Sequence, residues 1–280
     1  RRCAIFSTKT RSSVYWRIIV LKIKNSGLVM KKVIITGASS GIGKALAYEY
    51  AQNGYALGLV ARRLDRLEHL QNDLAQYGSP VAIRSLDVAN AQEILPVFES
   101  ISDELGGIDI VIANAGITAV HRTGKDDFET NRKVIQINLI SAMATVDAAA
   151  TLFRNTSQFK NRKPSGQIVG VSSVSAFRGI PGSAAYSGSK AGFSNYLGAV
   201  RMELKNKGIS VTTVHPGFVA TELSKDMDKY PFVITADKAA KAIFKGIEKK
   251  EANIIVPKLP WSVLSRVVTL IPDRLISQVF

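Results

Sequence analysis

The sequence predicts a three-layer α/β fold, a doubly wound parallel sheet of about seven strands with helices on both faces. Three observations lead to it. From Lys31 onward, short β-branched runs alternate with longer stretches of helical periodicity. The first run passes directly into a glycine-rich turn and then a helix. No linker rich in Pro, Gly or Ser and no internal repeat divides the series, so one domain is expected over residues 30–256.

The first strand is expected at 32–36, where Val33-Ile34-Ile35 is apolar and β-branched. Further strands are expected at 56–61, 81–85, 108–113, 166–172, 210–215 and 253–256. Helical patterns fall between them at 43–53, 64–77, 93–105, 128–153, 185–207 and 236–249. Helices of this length serve as crossovers, which make neighbouring strands parallel. Such sheets bind ligands outside the carboxyl ends of their strands, so the residues just past each strand carry the functional information.

Composition narrows the class. With 46% hydrophobic and 21% charged side chains, the 280 residues can bury a sizeable core and fit neither a disordered nor a fibrous chain. Cys3 is the single cysteine, and His69, His121 and His215 lack metal-ligand spacing, so neither an intramolecular disulfide nor a metal site is expected. The formal net charge is +15, but seven of those charges (Arg1, Arg2, Lys9, Arg11, Arg17, Lys22 and Lys24) precede residue 30. The remainder forms no dense basic tract and reads as solvated surface, not as a nucleic-acid site. Met30, the first methionine, directly precedes the first strand, so residues 1–29 are read as a non-native extension. An acid-free presequence is the alternative. Their apolar run Ile18-Ile19-Val20-Leu21 ends at Lys22, far short of the about 20 residues that span a bilayer, and no transmembrane anchor is expected.

The turn after the first strand reads Thr36-Gly37-Ala38-Ser39-Ser40-Gly41-Ile42-Gly43. Glycines let the backbone approach a pyrophosphate, and free N–H groups at the following helix N-terminus stabilise its charge. A P-loop reading fails, because Ala38 stands where its first glycine belongs and Ala45, not a hydroxyl residue, follows Lys44. At the end of the second strand, Ala61-Arg62-Arg63 presents two guanidinium groups where an acid would bind the ribose 2′-hydroxyl of NAD. Arginines there pair with a 2′-phosphate, so NADP(H) is expected over NAD(H).

The spacing G-x-x-x-G-x-G behind Thr36 resembles the short-chain dehydrogenase/reductase family. More of that pattern follows in order: Asp87, Asn114-Ala115-Gly116, Asn138, Ser173, Tyr186-x-x-x-Lys190 and Pro216-Gly217. The resemblance covers 32–256 and implies a Rossmann-type fold and hydride transfer between a nicotinamide dinucleotide and a carbonyl or secondary alcohol. It implies cofactor contacts from Thr36, Gly37, Ser39, Ser40, Gly41, Ile42 and Gly43 at the turn, and from Asp87 and Val88 after the third strand. Asn114, Ala115 and Gly116 would lie beside the adenine ribose, and Pro216, Gly217, Val219 and Thr221 at the nicotinamide. Asp87 also reads as a helix cap, and Asn114 as an ordinary turn residue.

For catalysis, Tyr186 and Lys190 stand four apart on a helical pattern and so share one face. A nearby ammonium lowers a phenol from its ordinary pKa of about 10, so Lys190 is expected to tune Tyr186 as the general acid/base. The resemblance gives Lys190 the nicotinamide ribose as well, gives Ser173 the substrate oxygen, and gives Asn138 a helix backbone that holds a water beside the lysine. Ser172 is the rival of Ser173, but strand alternation points the two in opposite directions. Ser187-x-x-Lys190 lacks the S-D-N and K-T-G partners of a serine acyl-transfer site. A dinucleotide-sensing or scaffold protein without turnover is the alternative of a different class.

Residues 222–235 carry Leu223, Met227, Tyr230 and Phe232 without clear periodicity. They read as a substrate lid for an apolar or amphipathic compound. The tail, 257–280, places Trp261, Leu264, Val267, Val268 and Ile271 at helical spacing and continues with Leu275, Ile276, Val279 and Phe280. It packs on the domain or a partner subunit, or meets a membrane surface with help from Lys258, Arg266 and Arg274. A homodimer or homotetramer in the cytoplasm, membrane-peripheral on that last reading, completes the expectation.

Overall fold

The apolar run after Lys31 forms β1 (Lys32–Thr36), and its alternation divides the interior in two. Val33 and Ile35 join the core on one face of the sheet, and Ile34 joins the core on the other. The computed structural model describes residues 30–155, 166–222, 230–272 and Arg274. Lys32 and the residues after it form a compact unit distinct from the N-terminal segment, and the expectation for residues 1–29 lies outside the described residues.

Beside β1 lie β2 (Ala56–Ala61) and β4 (Ile110–Ala113), with β3 (Val81–Ser85) outside β2. β5 (Gly166–Val171) and β6 (Ile209–Pro216) continue the sheet beyond β4. β7 (Val219–Ala220) and β8 (Ile234–Thr235) form a separate parallel pair, and β9 (Asn253–Val256) closes the large sheet. The order is β3-β2-β1-β4-β5-β6-β9 with every pairing parallel, so the strand order reverses between β1 and β4.

Helices α1 (Gly41–Gln52) and α2 (Leu64–Leu74) cover one face. α3 (Ala91–Leu105) covers the other, followed in sequence by α4 (Phe128–Ile135). α5 (Ala142–Asn155) and α6 (Ala184–Leu204) lie with α3, while α7 (Ala236–Glu248) joins α1 and α2. Leu67, Leu70 and Leu74 fill the α2 stripe, and Phe193, Leu197, Val200 and Leu204 fill that of α6. α8 (Lys258–Val267) follows β9.

Three departures from the sequence pattern have physical causes. β4 begins at Ile110 because Asp109 takes over the edge of the ladder: its carboxylate accepts from the Lys32 N–H at 2.8 Å while its own N–H donates to the Lys32 carbonyl at 2.9 Å. The helix over 128–155 is not regular, since a π turn (Gln136–Ser141) widens it between α4 and α5. This 28-residue helix is long and apolar enough to cross a membrane, yet Val146, Ala149, Leu152 and Phe153 fill its side facing the sheet. The connection after β7 has strand character at Ile234–Thr235, after which the Thr235 hydroxyl caps α7. Leu223 and Met227 of the expected lid lie outside the described residues.

Gly170 gives a test of packing in the core. A Cβ there would stand 2.3 Å from Leu197 Cδ1 and 2.9 Å from Phe193 Cε1. Gly170→Ala is expected to destabilise by about 1–3 kcal/mol with an unchanged m-value in urea unfolding.

Candidate active site

The site starts where β1 and β4 end. Thr36 is fully buried, and its hydroxyl accepts from the Asn114 and Ala115 N–H groups at 3.0 and 3.2 Å while donating to the Ile112 carbonyl at 3.2 Å. The Asn114 amide donates to the carbonyls of Thr36 and Gly37 at 2.9 and 3.3 Å. These two side chains are therefore spent on the backbone and shape the turn from within. Gly37, at φ 67°, passes so close that a Cβ would lie 2.8 Å from Ala115 Cα. Gly43 has no more room: a Cβ would lie 2.4 Å from the Gly37 carbonyl oxygen.

Around this turn the donors suit an anion. Ser40, extended at φ −163°, begins α1 without a side-chain cap, and no acid stands in the first helical turn. Arg63 leaves β2 and donates to the hydroxyls of Ser39 and Ser40 at 3.2 and 3.3 Å. Arg62 stands 3.9 Å from Asp87 with both side chains well exposed, a weak pair. The Asp87 carboxylate also accepts from the Ala89 N–H at 3.1 Å; it does not cap the following helix, whose cap position is Asn90, and Val88 is buried in the core. Free helical N–H groups and hydroxyls make a donor set that fits the diphosphate of a dinucleotide, and the Arg63 guanidinium adds a cation at its edge.

Across the switch point, β5 and α6 bring the proton-handling groups together. Ser172 turns away, its hydroxyl bonded to the Lys190 carbonyl at 2.9 Å and to the Ser194 hydroxyl at 2.7 Å. Ser173 faces the opposite way, as strand alternation requires, and its hydroxyl lies 2.6 Å from that of Ser175. Both hydroxyls hydrogen-bond Tyr186. Ser175 was not marked by the sequence reading, although a serine two residues on commonly folds back on its neighbour.

Lys190 is buried, and its Nζ donates to the Val171 carbonyl at 2.9 Å, 5.9 Å from the Tyr186 ring centroid. Burial pulls its pKa down to about 8. The expected lowering of Tyr186 by Lys190 is not what the structure gives. Burial raises the phenol, and the pull downward comes from Ser173 and Ser175. Desolvation of the charged form is the larger effect, and the ammonium beside the ring does not reverse it.

Asn138 is fully buried in the π turn, and its amide clamps Ile117: the oxygen accepts from the Ile117 N–H and the nitrogen donates to the Ile117 carbonyl, both at 2.8 Å. Its side chain thus fixes the chain just past Gly116. A Cβ on Gly116 would lie 3.2 Å from Asn138 Oδ1 and 3.6 Å from Lys190 Nζ, so the three residues converge.

The segment after β6 closes the site. Pro216 ends the strand, Ile42 packs on the core, Val219 is buried in β7, and Thr221 lies across from Gly41. A Cβ on Gly217 would stand 2.3 Å from Trp261 Nε1, so the tail fills the space that this glycine leaves. Trp261 meets Phe218 edge-on with centroids 5.4 Å apart, and Phe218 lies 4.6 Å from Tyr230. Arg178, five residues past Ser173, donates to the Ile271 carbonyl at 3.1 Å. The tail therefore docks on the loops after both β5 and β6, while Leu259, Val263, Val267 and Leu270 remain exposed. Leu275, Ile276, Val279 and Phe280 lie outside the described residues.

Known proteins resemble this chain in sequence and fold. The family model for short chain dehydrogenase matches residues 31–231. An uncharacterized oxidoreductase of Mycobacterium tuberculosis is 36% identical over 253 residues, covering 89% of this chain and 97% of that one. The 11-beta-hydroxysteroid dehydrogenase-like 2 of Arabidopsis thaliana is 35% identical over 262 residues, covering 89% and 82%. Among solved structures, an alcohol dehydrogenase from the archaeon Thermococcus sibiricus complexed with 5-hydroxy-NADP superposes with a TM-score of 0.72 at 28% identity, covering 81% and 96%. The chain belongs to the short-chain dehydrogenase/reductase family, whose members are oxidoreductases acting on alcohol groups with a nicotinamide dinucleotide.

Burial makes Lys190 a source of pH-dependent stability. Its ammonium titrates at about 8 in the fold and near 10.5 unfolded, so between those values the unfolded chain holds the extra proton and stability rises with pH. The protein is expected to gain roughly 2 kcal/mol from about pH 8 to about pH 10, a gain that Lys190→Met lacks when urea midpoints are compared across the range.

Proposed function

We propose that the protein is an NADP(H)-dependent oxidoreductase that interconverts a carbonyl and a secondary alcohol on an apolar or amphipathic compound. The observation that carries this reading is the meeting of the Ser173, Ser175 and Tyr186 hydroxyls beside the buried Lys190. When bound, the nicotinamide supplies or accepts the hydride. Ser173 donates a hydrogen bond to the substrate oxygen and orients it, and Tyr186 gives that oxygen its proton during reduction. A phenol raised by burial stays protonated across the neutral range, which is the form that donates. Lys190 would hold the ribose of the bound cofactor, and the Ser173 and Ser175 hydroxyls steady the phenolate left behind. Asn138 keeps the loop after β4 against Lys190 through Ile117.

Arg63 at the glycine turn, with Arg62 beside it, supports NADP(H) over NAD(H), since a 2′-phosphate accepts bidentate hydrogen bonds from guanidinium groups. The aromatic group of Phe218, Tyr230 and Trp261 supports an apolar substrate, as does likeness to a protein named for hydroxysteroids.

The reading is tested by following NADPH and NADH oxidation against a panel of carbonyl compounds. Higher kcat/KM with NADPH is expected, and a preference for NADH overturns the cofactor assignment. Arg63→Ala is expected to raise KM for NADPH by roughly ten- to a hundredfold while leaving NADH little changed. Tyr186→Phe is expected to abolish turnover and keep NADPH binding; turnover at the native rate would remove Tyr186 from the mechanism. Carbonyl reduction is expected to hold level below about pH 8 and to fall as pH rises through it, because Lys190 then loses its proton.

A further inference from the structure

His215 is the next-to-last residue of β6, and its side chain is buried to 4% exposure beside the turn that begins at Ser173. The last backbone pair between β5 and β6 joins Val171 to Val214, and the Ser172 N–H still reaches the Val214 carbonyl at 2.8 Å. The ladder ends there, because Pro216 has no N–H to donate to the Ser172 carbonyl, and Ser173 begins the short turn Val174–Ala176. The Ser173 carbonyl is then held by two other donors. The Ala176 N–H lies 3.1 Å away, and His215 Nδ1 lies 3.3 Å away. A carbonyl oxygen only accepts, so in this contact Nδ1 carries the proton. The ring itself is fixed by the Asn253 side chain on β9 and by the Phe177 ring, whose centroid lies 4.8 Å away at an angle of 35°.

We propose that His215 is a positioning residue for the reaction: by pinning the Ser173 carbonyl just past the end of the β5–β6 ladder, it sets where the Ser173 hydroxyl meets Tyr186. This inference rests on Ser173 working in turnover as proposed above. His215 itself carries no proton in the cycle. Burial and the charge of Arg201 hold its pKa below the ordinary histidine value, against the opposite pull of the Ser173 carbonyl and Asn253. Asparagine sets an amide nitrogen near the place of Nδ1, whereas leucine fills part of the volume and donates nothing.

The test compares His215→Leu, His215→Asn and Ser173→Ala with the native enzyme, using NADPH and 4-nitroacetophenone as the carbonyl probe. His215→Leu is expected to lower kcat by about tenfold, the effect of one lost hydrogen bond, with NADPH affinity unchanged. It is also expected to move the Tyr186 titration upward, because Ser173 no longer lowers it fully. That titration is followed by 13C NMR of ζ-labelled tyrosine, with the resonance assigned by Tyr186→Phe. His215→Asn is expected to restore most of both losses, which a general loss of packing does not explain. An unchanged kcat and titration in His215→Leu, or a loss that asparagine fails to relieve, overturns the proposal. If Ser173→Ala turns over normally, the role given to Ser173 fails. If Ser173→Ala is impaired and His215→Leu is not, only the inference about His215 fails. Should the native enzyme leave the probe and the whole carbonyl panel untouched while His215→Leu still shifts the Tyr186 titration, the reaction assignment is at fault and the positioning stands.

Discussion

A single hydroxyl holds the carboxyl ends of β1 and β4 in register, and the site depends on it. In a parallel sheet the chain leaves β1 toward one face and β4 toward the other, so the switch point tends to open into a crevice. Thr36 bridges that crevice from inside, with Asn114 returning hydrogen bonds to the turn. Fixed in this way, Gly37 can pass against Ala115, and α1 begins with its uncapped end toward the crevice. A site residue need not touch a ligand to matter, and these two act by setting the shape of the turn.

The opposite wall of the crevice is a balance of burial against hydrogen bonding. Burying Lys190 brings its ammonium toward neutrality, and burying Tyr186 keeps its phenol protonated. Neither result follows from the four-residue spacing alone, which states only that the two side chains share a helix face. The serine hydroxyls offset part of the cost at Tyr186, and the Val171 carbonyl gives Lys190 a partner. Widening of the helix at the π turn places Asn138 opposite the same lysine, through the segment that follows Gly116.

The tail adds a layer that no motif announced. Its helical periodicity was legible, but the partners of its buried side were not, because Gly217 and Arg178 are distant in sequence and carry no pattern of their own. Trp261 occupies the space left by a glycine whose family role lies elsewhere. A missing side chain can therefore serve a backbone approach and a packing contact in one place.

The sequence by itself determined the order and type of most elements, because short β-branched runs and 3.6-residue periodicity are local properties of the chain. It also indicated that two adjacent serines point opposite ways, since alternation along a strand is fixed by the backbone, while the choice of Ser173 came from its family-like spacing to Tyr186. Strand ends drifted where a side chain took over a ladder bond, as at Asp109, and the partner of Asn138 was invisible because Ile117 lies 21 positions away. Only the tertiary structure decided the protonation of Tyr186 and Lys190, the inward role of Thr36 and the contact between His215 and Ser173. Each of these depends on solvent exclusion and on partners brought together from separate strands, and neither is written in local spacing.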